Sequence, residues 1–309
     1  KSIYAERRHG LGLFYNYSES GKGVAKNGPK KKPFFRFWEQ FAGKFWKLIT
    51  LNFVYLVTSG LAFVLAGFLL SAQTSNFYFM LIGLPVVILF GPATAAASQV
   101  VRKFTLEKPI FMMDEYKTAF KNNFKQALPI GIFDVLFFSA FLYGAMFYGQ
   151  ILDQDPSAKN YAMIIISIAI AAYFLMAHFY IYLEIVSLTL PLGKIIKNAF
   201  LLTVMGIKVN IISFVVWVTF ILAMILLLPY SIFALPFLPF GWLFFLCAFN
   251  SYPVIQKYII NPFYESQGLR NPELPEEEDS EEKIFTDRGG SEEVIKKKSN
   301  IKASGKVIK

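Results

Sequence analysis

Charged residues are missing from two long stretches of this 309-residue chain. No Asp, Glu, Lys or Arg occurs between Leu48 and Val101, or between Val209 and Gln256. Only 17% of the residues are charged and 55% are hydrophobic, whereas about a quarter of the residues of a soluble domain are charged. Stretches of this length fit the hydrocarbon core of a bilayer. The composition therefore predicts an integral membrane protein and argues against a soluble enzyme.

Cysteine and histidine are nearly absent as well. Cys247 is the one cysteine, and His9 and His178 are the two histidines. This count excludes a disulfide framework and gives no metal-ligand spacing. The sequence also contains no G-x-S-x-G motif and no glycines at phosphate-loop spacing. We therefore expect no metal, no cofactor and no catalytic residues, and a membrane enzyme is the function class with the least support.

The net charge of +10 could suggest a protein that binds nucleic acid. The basic residues, however, flank the apolar runs, as they do at the ends of membrane spans. We therefore expect a lipid bilayer, and no nucleic acid, as the partner of these charges.

Six segments have the length of about 20 mostly apolar residues that a spanning helix needs. Lys and Arg concentrate before the first segment, in every second loop, and after the last one, which places both termini in the cytoplasm. The predicted fold is all-α, a polytopic six-span helical bundle. The segments are Leu48–Leu70, Phe77–Ala97, Ala127–Tyr148, Tyr161–Leu188, Val209–Leu228 and Ile232–Phe249.

Three amphipathic segments precede the three predicted membrane hairpins, which predicts one unit repeated three times. They are Phe34–Lys47, Met112–Leu128 and Leu192–Ile207. In the second, aromatic residues recur every four positions and share one helical face. Helices of this kind lie well at the lipid interface. Two interpretations stay open: elbows on the lipid surface that orient the hairpins, or docking sites for a cytoplasmic partner.

The ends of the chain differ from its apolar centre. Residues 1–33 show no periodicity and are predicted to be a cytoplasmic N-terminal segment. Residues 34–265 form the predicted transmembrane domain. Residues 266–309 contain an acidic run over 276–282 and a basic run over 296–298, which is typical of disordered cytoplasmic tails. An apolar island at 284–290 is either a docking peptide or a chance feature of that tail.

Five polar residues fall within or at the edges of the predicted spans, where each is costly without a partner. Asp134 and Glu184 could face one another near the cytoplasmic side of the membrane, and such a pair could bind a cation or relay protons. The competing interpretation is a hydrogen-bonded cluster that fixes helix packing. Asn52 and Asn210 are expected to cross-link helices. The five residues are Asn52, Asp134, His178, Glu184 and Asn210.

The second predicted span ends in the sequence Gly-Pro-Ala-Thr-Ala-Ala over residues 91–96. Pro92 is expected to break or kink the helix there, and the small residues allow close helix packing. This segment, with Arg102 and the stretch from Phe120 to Ala127, resembles the signature of the YesL family (DUF624) of bacterial membrane proteins, in its longer clostridial type. Nine residues of the signature are candidates for partner binding or helix packing: Gly91, Pro92, Ala93, Thr94, Phe120, Asn123, Phe124, Lys125 and Gln126.

Members of that family are commonly encoded beside the permeases and binding proteins of carbohydrate ABC importers. The resemblance implies the cytoplasmic membrane of a Gram-positive bacterium and a link to oligosaccharide uptake. It supplies no catalytic residues. We therefore expect an accessory, non-enzymatic subunit that packs against ABC permease subunits and contacts the cytoplasmic ATPase. The alternative is a stand-alone secondary transporter or channel that uses Asp134 and Glu184.

Overall fold

The computed structural model describes residues 31–60, 76–237, 239–274 and 306. Helices make up all the secondary-structure elements of these residues. The α-helices are α1 (Pro33–Thr58), α2 (Asn76–Thr105), α3 (Met112–Gln154), α4 (Ala158–Ser187), α5 (Leu192–Met205), α6 (Ile207–Leu226), α7 (Pro239–Ile255) and α8 (Asn261–Ser266). A 3-10 turn (Tyr230–Ala234) precedes α7, and a π-helical turn (Gln256–Ile260) joins α7 to α8.

Four helical segments of the described chain are long and apolar enough to cross a membrane. They are Met112–Gln154, Ala158–Ser187, Ile207–Leu226 and Pro239–Ser266, and they contain most of the last four predicted spans. The first predicted span runs into residues 61–70, which lie outside the described residues. The second coincides with α2. An all-helical protein with several membrane-spanning helices is therefore confirmed, whereas the count of six stays a prediction.

Two of the three amphipathic segments are not separate interfacial helices. The first is the beginning of α1 and the second is the beginning of α3, each continuous with the apolar run that follows. Pro129 lies inside α3 without ending it. At 1.5 Å per residue the 43 residues of α3 extend about 64 Å, twice the hydrocarbon thickness. The third segment, α5, is a separate helix that ends at Gly206.

The last membrane helix begins later than the sequence predicted. Residues 230–234 form a 3-10 turn, and α7 starts at Pro239, not at Ile232. Pro236 and Pro239 explain the shift, because proline lacks the N–H that a helix interior needs. The helical path then continues past the predicted end at Phe249 to Ser266.

The centre of the bundle is α2, which packs against α1, α3, α4 and α7. At its crossing with α3, a Cβ on Gly91 would lie 2.2 Å from the Ala127 carbonyl oxygen, and one on Gly131 would lie 2.3 Å from the Gly91 nitrogen. The two backbones therefore touch, and only glycine fits there. The helix continues unbroken through Pro92, so the expected break is absent.

The α3–α4 hairpin divides into two halves. Its inner half, around Asp134 and Tyr182, is buried against α2 and α7. Its outer half exposes large apolar side chains, among them Leu142, Met146 and Ile165 at 63%, 71% and 65%. Exposed apolar surface on membrane-spanning helices faces lipid or other helices.

Candidate intramembrane site

Asp134 on α3 is fully buried and is held by two side chains of α4. The hydroxyl of Tyr182 donates to Asp134 Oδ2 at 2.5 Å, and His178 Nε2 contacts Oδ1. His178 and Tyr182 are four residues apart and share one face of α4. The carboxylate thus has a partner on each oxygen, as a buried charged group requires.

The imidazole of His178 is fixed from its other side too. Its Nδ1 lies 3.2 Å from the carbonyl oxygen of Phe174, one turn earlier in α4. The Phe174 ring packs on the imidazole, with the ring centroids 4.4 Å apart. Contacts of this kind hold the ring orientation and select its tautomer.

A cavity of about 120 Å³ adjoins this cluster. Asp134, His178 and Tyr182 belong to its lining. So do Tyr55 on α1 and Thr94 on α2, whose hydroxyl groups are 3.1 Å apart. The remaining lining is mostly apolar and aromatic. A few polar groups in a mostly apolar cavity are typical of small-molecule sites.

The structure does not pair Asp134 with Glu184. Glu184 lies on α4 two residues after Tyr182, about 200° around the helix, and it does not line the cavity. Its side chain is fully buried, and neither carboxylate oxygen has a hydrogen-bond partner among the described residues. Asn198 on α5 is the polar side chain that approaches it. The two carboxylates therefore occupy separate environments.

Asn52 joins α1 to the start of α7. Its Nδ2 donates to the carbonyl oxygens of Leu235 and Pro236, both at 2.7 Å. Its Oδ1 accepts from the backbone N–H groups of Phe240 and Gly241 at 2.9 and 3.2 Å. A cap of this kind satisfies the first N–H groups of a helix. The predicted cross-linking role of Asn52 agrees with this geometry.

Asn210, in the first turn of α6, also joins helices through its side chain. Its Oδ1 accepts from the hydroxyl of Tyr180 at 2.6 Å, and its Nδ2 donates to the carbonyl oxygen of Thr203 at 3.0 Å. It thereby links α4, the end of α5 and the start of α6. Asn210 is fully buried between these helices, and its hydrogen bonds hold them together.

The structure splits the nine signature residues into two groups. Gly91 and Ala93 are buried at the α2–α3 crossing, and Thr94 bonds to Tyr55, so this part of the signature packs the chain itself. On α3, the Gln126 amide donates to the Leu190 carbonyl oxygen at 2.7 Å. Asn123 is buried, Phe120 and Phe124 are half-buried, and Lys125 is exposed.

A second buried polar cluster joins the beginning of the predicted tail to the domain. Glu273 is 4% exposed and forms an ion pair with buried Arg102 at 3.3 Å. It also accepts a hydrogen bond from Tyr252, and Lys108 lies 3.9 Å away. Burial lowers the pKa of Lys108, and Glu273 opposes that shift. The tail predicted to start at residue 266 is thus anchored to the bundle through Glu273.

Sequence reasoning missed Tyr182 and Glu273. The four-residue spacing from His178 could have indicated Tyr182. No local pattern distinguished Glu273, because it lies just before an acidic run and is of the same residue type. Among the described residues, no group of three or more His, Cys, Asp or Glu could hold a metal ion.

A family model described as "Protein of unknown function, DUF624" matches residues 73–145. This match confirms the resemblance seen in the sequence. It covers α2 and most of α3, and so includes the Gly91–Gly131 crossing and Asp134. No curated protein matches the chain, and no solved structure matches it.

Proposed function

We propose that this chain, which matches DUF624 over residues 73–145, is an accessory, non-enzymatic membrane subunit of an oligosaccharide ABC importer. It packs against the permease subunits and takes its energy from its partners, since its sequence carries no ATP-binding motif. The family resemblance supplies the link to carbohydrate uptake. The physical support comes from the outer half of the α3–α4 hairpin.

That half carries an open groove of about 400 Å³ between α3 and α4. Gly144 and Gly149 line it, and no described atom lies within 4 Å of the position that a Cβ on either would take. Small residues on a membrane helix let another helix approach closely. Gly91 and Gly131 already demonstrate such an approach inside this chain. The open groove is the observation that carries the proposal, with a permease helix as its occupant.

The cytoplasmic ATPase is the second partner of this proposal. With both termini in the cytoplasm, the basic first third of α3 extends from the membrane on the ATPase side. Lys117, Lys121 and Lys125 are exposed there. The membrane is the plasma membrane of a Gram-positive bacterium.

The test is affinity isolation of the full-length protein in mild detergent, at native expression level, from its own host. Mass spectrometry should find permease and ATPase subunits in stoichiometric amounts. Gly144→Ile fills the groove and should reduce the permease recovered about tenfold, equal to about 1.4 kcal/mol. Gly43→Ile is the matched control, because Gly43 is a helical glycine on α1 with the same open space around it. Recovery of the protein alone would refute the accessory function.

Glu184 supports a second candidate, a stand-alone transporter or channel. A buried carboxylate without a hydrogen-bond partner is costly in a membrane and marks ion or proton pathways in transport proteins. In this alternative, Asp134 and Glu184 are successive stations along one pathway and not a pair.

Purified protein in liposomes would then move an ion or a solute without partners. Asp134→Asn should abolish this flux, and Glu184→Gln should reduce it. Flux that persists in both variants would remove these residues from the pathway. Liposomes without flux would leave the accessory subunit as the function.

A further inference from the structure

The cavity beside Asp134 has the size of a single small ring. Side chains from α1, α2, α3, α4, α6 and α7 enclose its volume of about 120 Å³. A cavity of about 150 Å³ lined by apolar side chains can hold benzene. The space is therefore too small for an oligosaccharide and suited to a compact molecule.

The contacts of His178 fit an Asp134–His178 pair that carries no net charge. The carbonyl oxygen of Phe174 can only accept, so a hydrogen bond with Nδ1 of His178, at 3.2 Å, needs a hydrogen on that nitrogen. Nε2 contacts Asp134 Oδ1, and two lone pairs would repel there. A second hydrogen therefore lies between these two atoms. Whether it belongs to the imidazole or to the carboxyl group, the charges of the pair sum to zero.

The rest of the cavity adds no charge. No Lys, Arg or Glu and no second Asp is among the described residues that line it. Six Phe and Trp side chains form much of the wall: Phe90, Phe138, Phe179, Trp217, Phe240 and Phe244. An ion that entered would lose its hydration and find no opposite net charge in return. The cavity therefore favours neutral molecules.

We infer that this cavity binds a neutral, ring-sized molecule that carries one hydroxyl group and enters from the lipid phase. Three lining residues, Phe138, Leu175 and Trp217, are only half-buried and lie on membrane-spanning helices, so the cavity wall reaches the lipid-facing surface there. Inside, the Ser98 hydroxyl on α2 offers a donor and an acceptor. This inference is independent of the proposed importer function.

Three fluorinated probes that share one ring and differ in charge test the inference. They are 4-fluorophenol, 4-fluorobenzylammonium and 4-fluorobenzoate, each titrated into the full-length protein in lipid nanodiscs and followed by fluorine NMR. Empty nanodiscs measure partition into lipid. We expect saturable binding of 4-fluorophenol alone, with the two ions at least about tenfold weaker. Tighter binding of the cation would mean that Asp134 is an uncompensated anion and would overturn the inference, as would phenol binding no greater than in empty nanodiscs.

Two variants locate the bound probe. Leu175→Trp places a larger side chain in the cavity wall and should weaken 4-fluorophenol binding about tenfold. Leu142→Trp, at a 63% exposed position outside the cavity, should leave it unchanged. Ser98→Ala should weaken binding several-fold through loss of one hydrogen bond, and Ser167→Ala on the outer half of α4 is its control. Equal binding by all four variants would place the probe elsewhere. If Leu175→Trp fails to fold, the Ser98 pair decides the location.

Discussion

Glycine and aspartate occur in both the inner and the outer half of the α3–α4 hairpin, but they are buried in the inner half and open to the surroundings in the outer half. In the inner half, Gly131 touches the backbone of Gly91, and Asp134 is bonded through both carboxylate oxygens. In the outer half, Gly144 has open space around it and Asp153 is exposed. The inner half is therefore part of the packed core. The outer half is surface, available to lipid or to a partner helix.

The largest effect should come from Asp134→Ala. It leaves His178 and Tyr182 without their shared partner in the membrane interior, and removal of one member of a buried pair costs about 3–5 kcal/mol. Thermal unfolding in detergent, with the purified variant compared with the unaltered chain, measures this loss. Asp153→Ala, at the outer end of the same helix, should change stability by less than about 0.5 kcal/mol. Equal effects of the two variants would remove the contrast between the halves.

Gly131→Ala should be the next most damaging change. Its Cβ would lie 2.3 Å from the Gly91 nitrogen, so α2 and α3 would have to separate, at a cost of about 1–3 kcal/mol. Gly144→Ala meets no described atom and should stabilise the helix by up to about 1 kcal/mol. The same unfolding experiment compares them. A destabilised Gly144→Ala variant would show that the outer half is also tightly packed.

Within the inner half, Glu184→Gln should have a much smaller effect than Asp134→Ala. The carboxylate of Glu184 has no hydrogen bond to lose among the described residues, whereas that of Asp134 has two partners. We therefore expect Glu184→Gln to change stability by less than about 1 kcal/mol, or to raise it, because the amide is similar in size and cannot carry a charge that would be costly to bury. A loss as large as that of Asp134→Ala would mean that Glu184 has a partner essential to the fold.

The sequence was most informative where residue size or periodicity decides the structure. The small residues after Gly91 predicted close packing of α2, and the charge-free runs predicted helices in a membrane. Of the two outcomes expected at Pro92, a break or a kink, the break is absent, because a proline need not end a helix whose neighbours pack around it. The sequence also could not decide which polar groups meet. The Asp134–His178 contact and the Arg102–Glu273 ion pair join residues far apart in the chain, and spacing along one helix carries no information about such pairs.

Asn52 has a consequence for the order in which the chain assembles. It satisfies backbone groups around the start of α7, which lie 183 to 189 residues later in the sequence. In lipid an unpaired backbone group has no water to bond to, so the beginning of α7 is unsatisfied until α1 reaches it. During synthesis α1 is made long before α7, so these bonds form only after α7 is present. In a chain truncated before α7, Asn52 would lack its partners at Phe240 and Gly241.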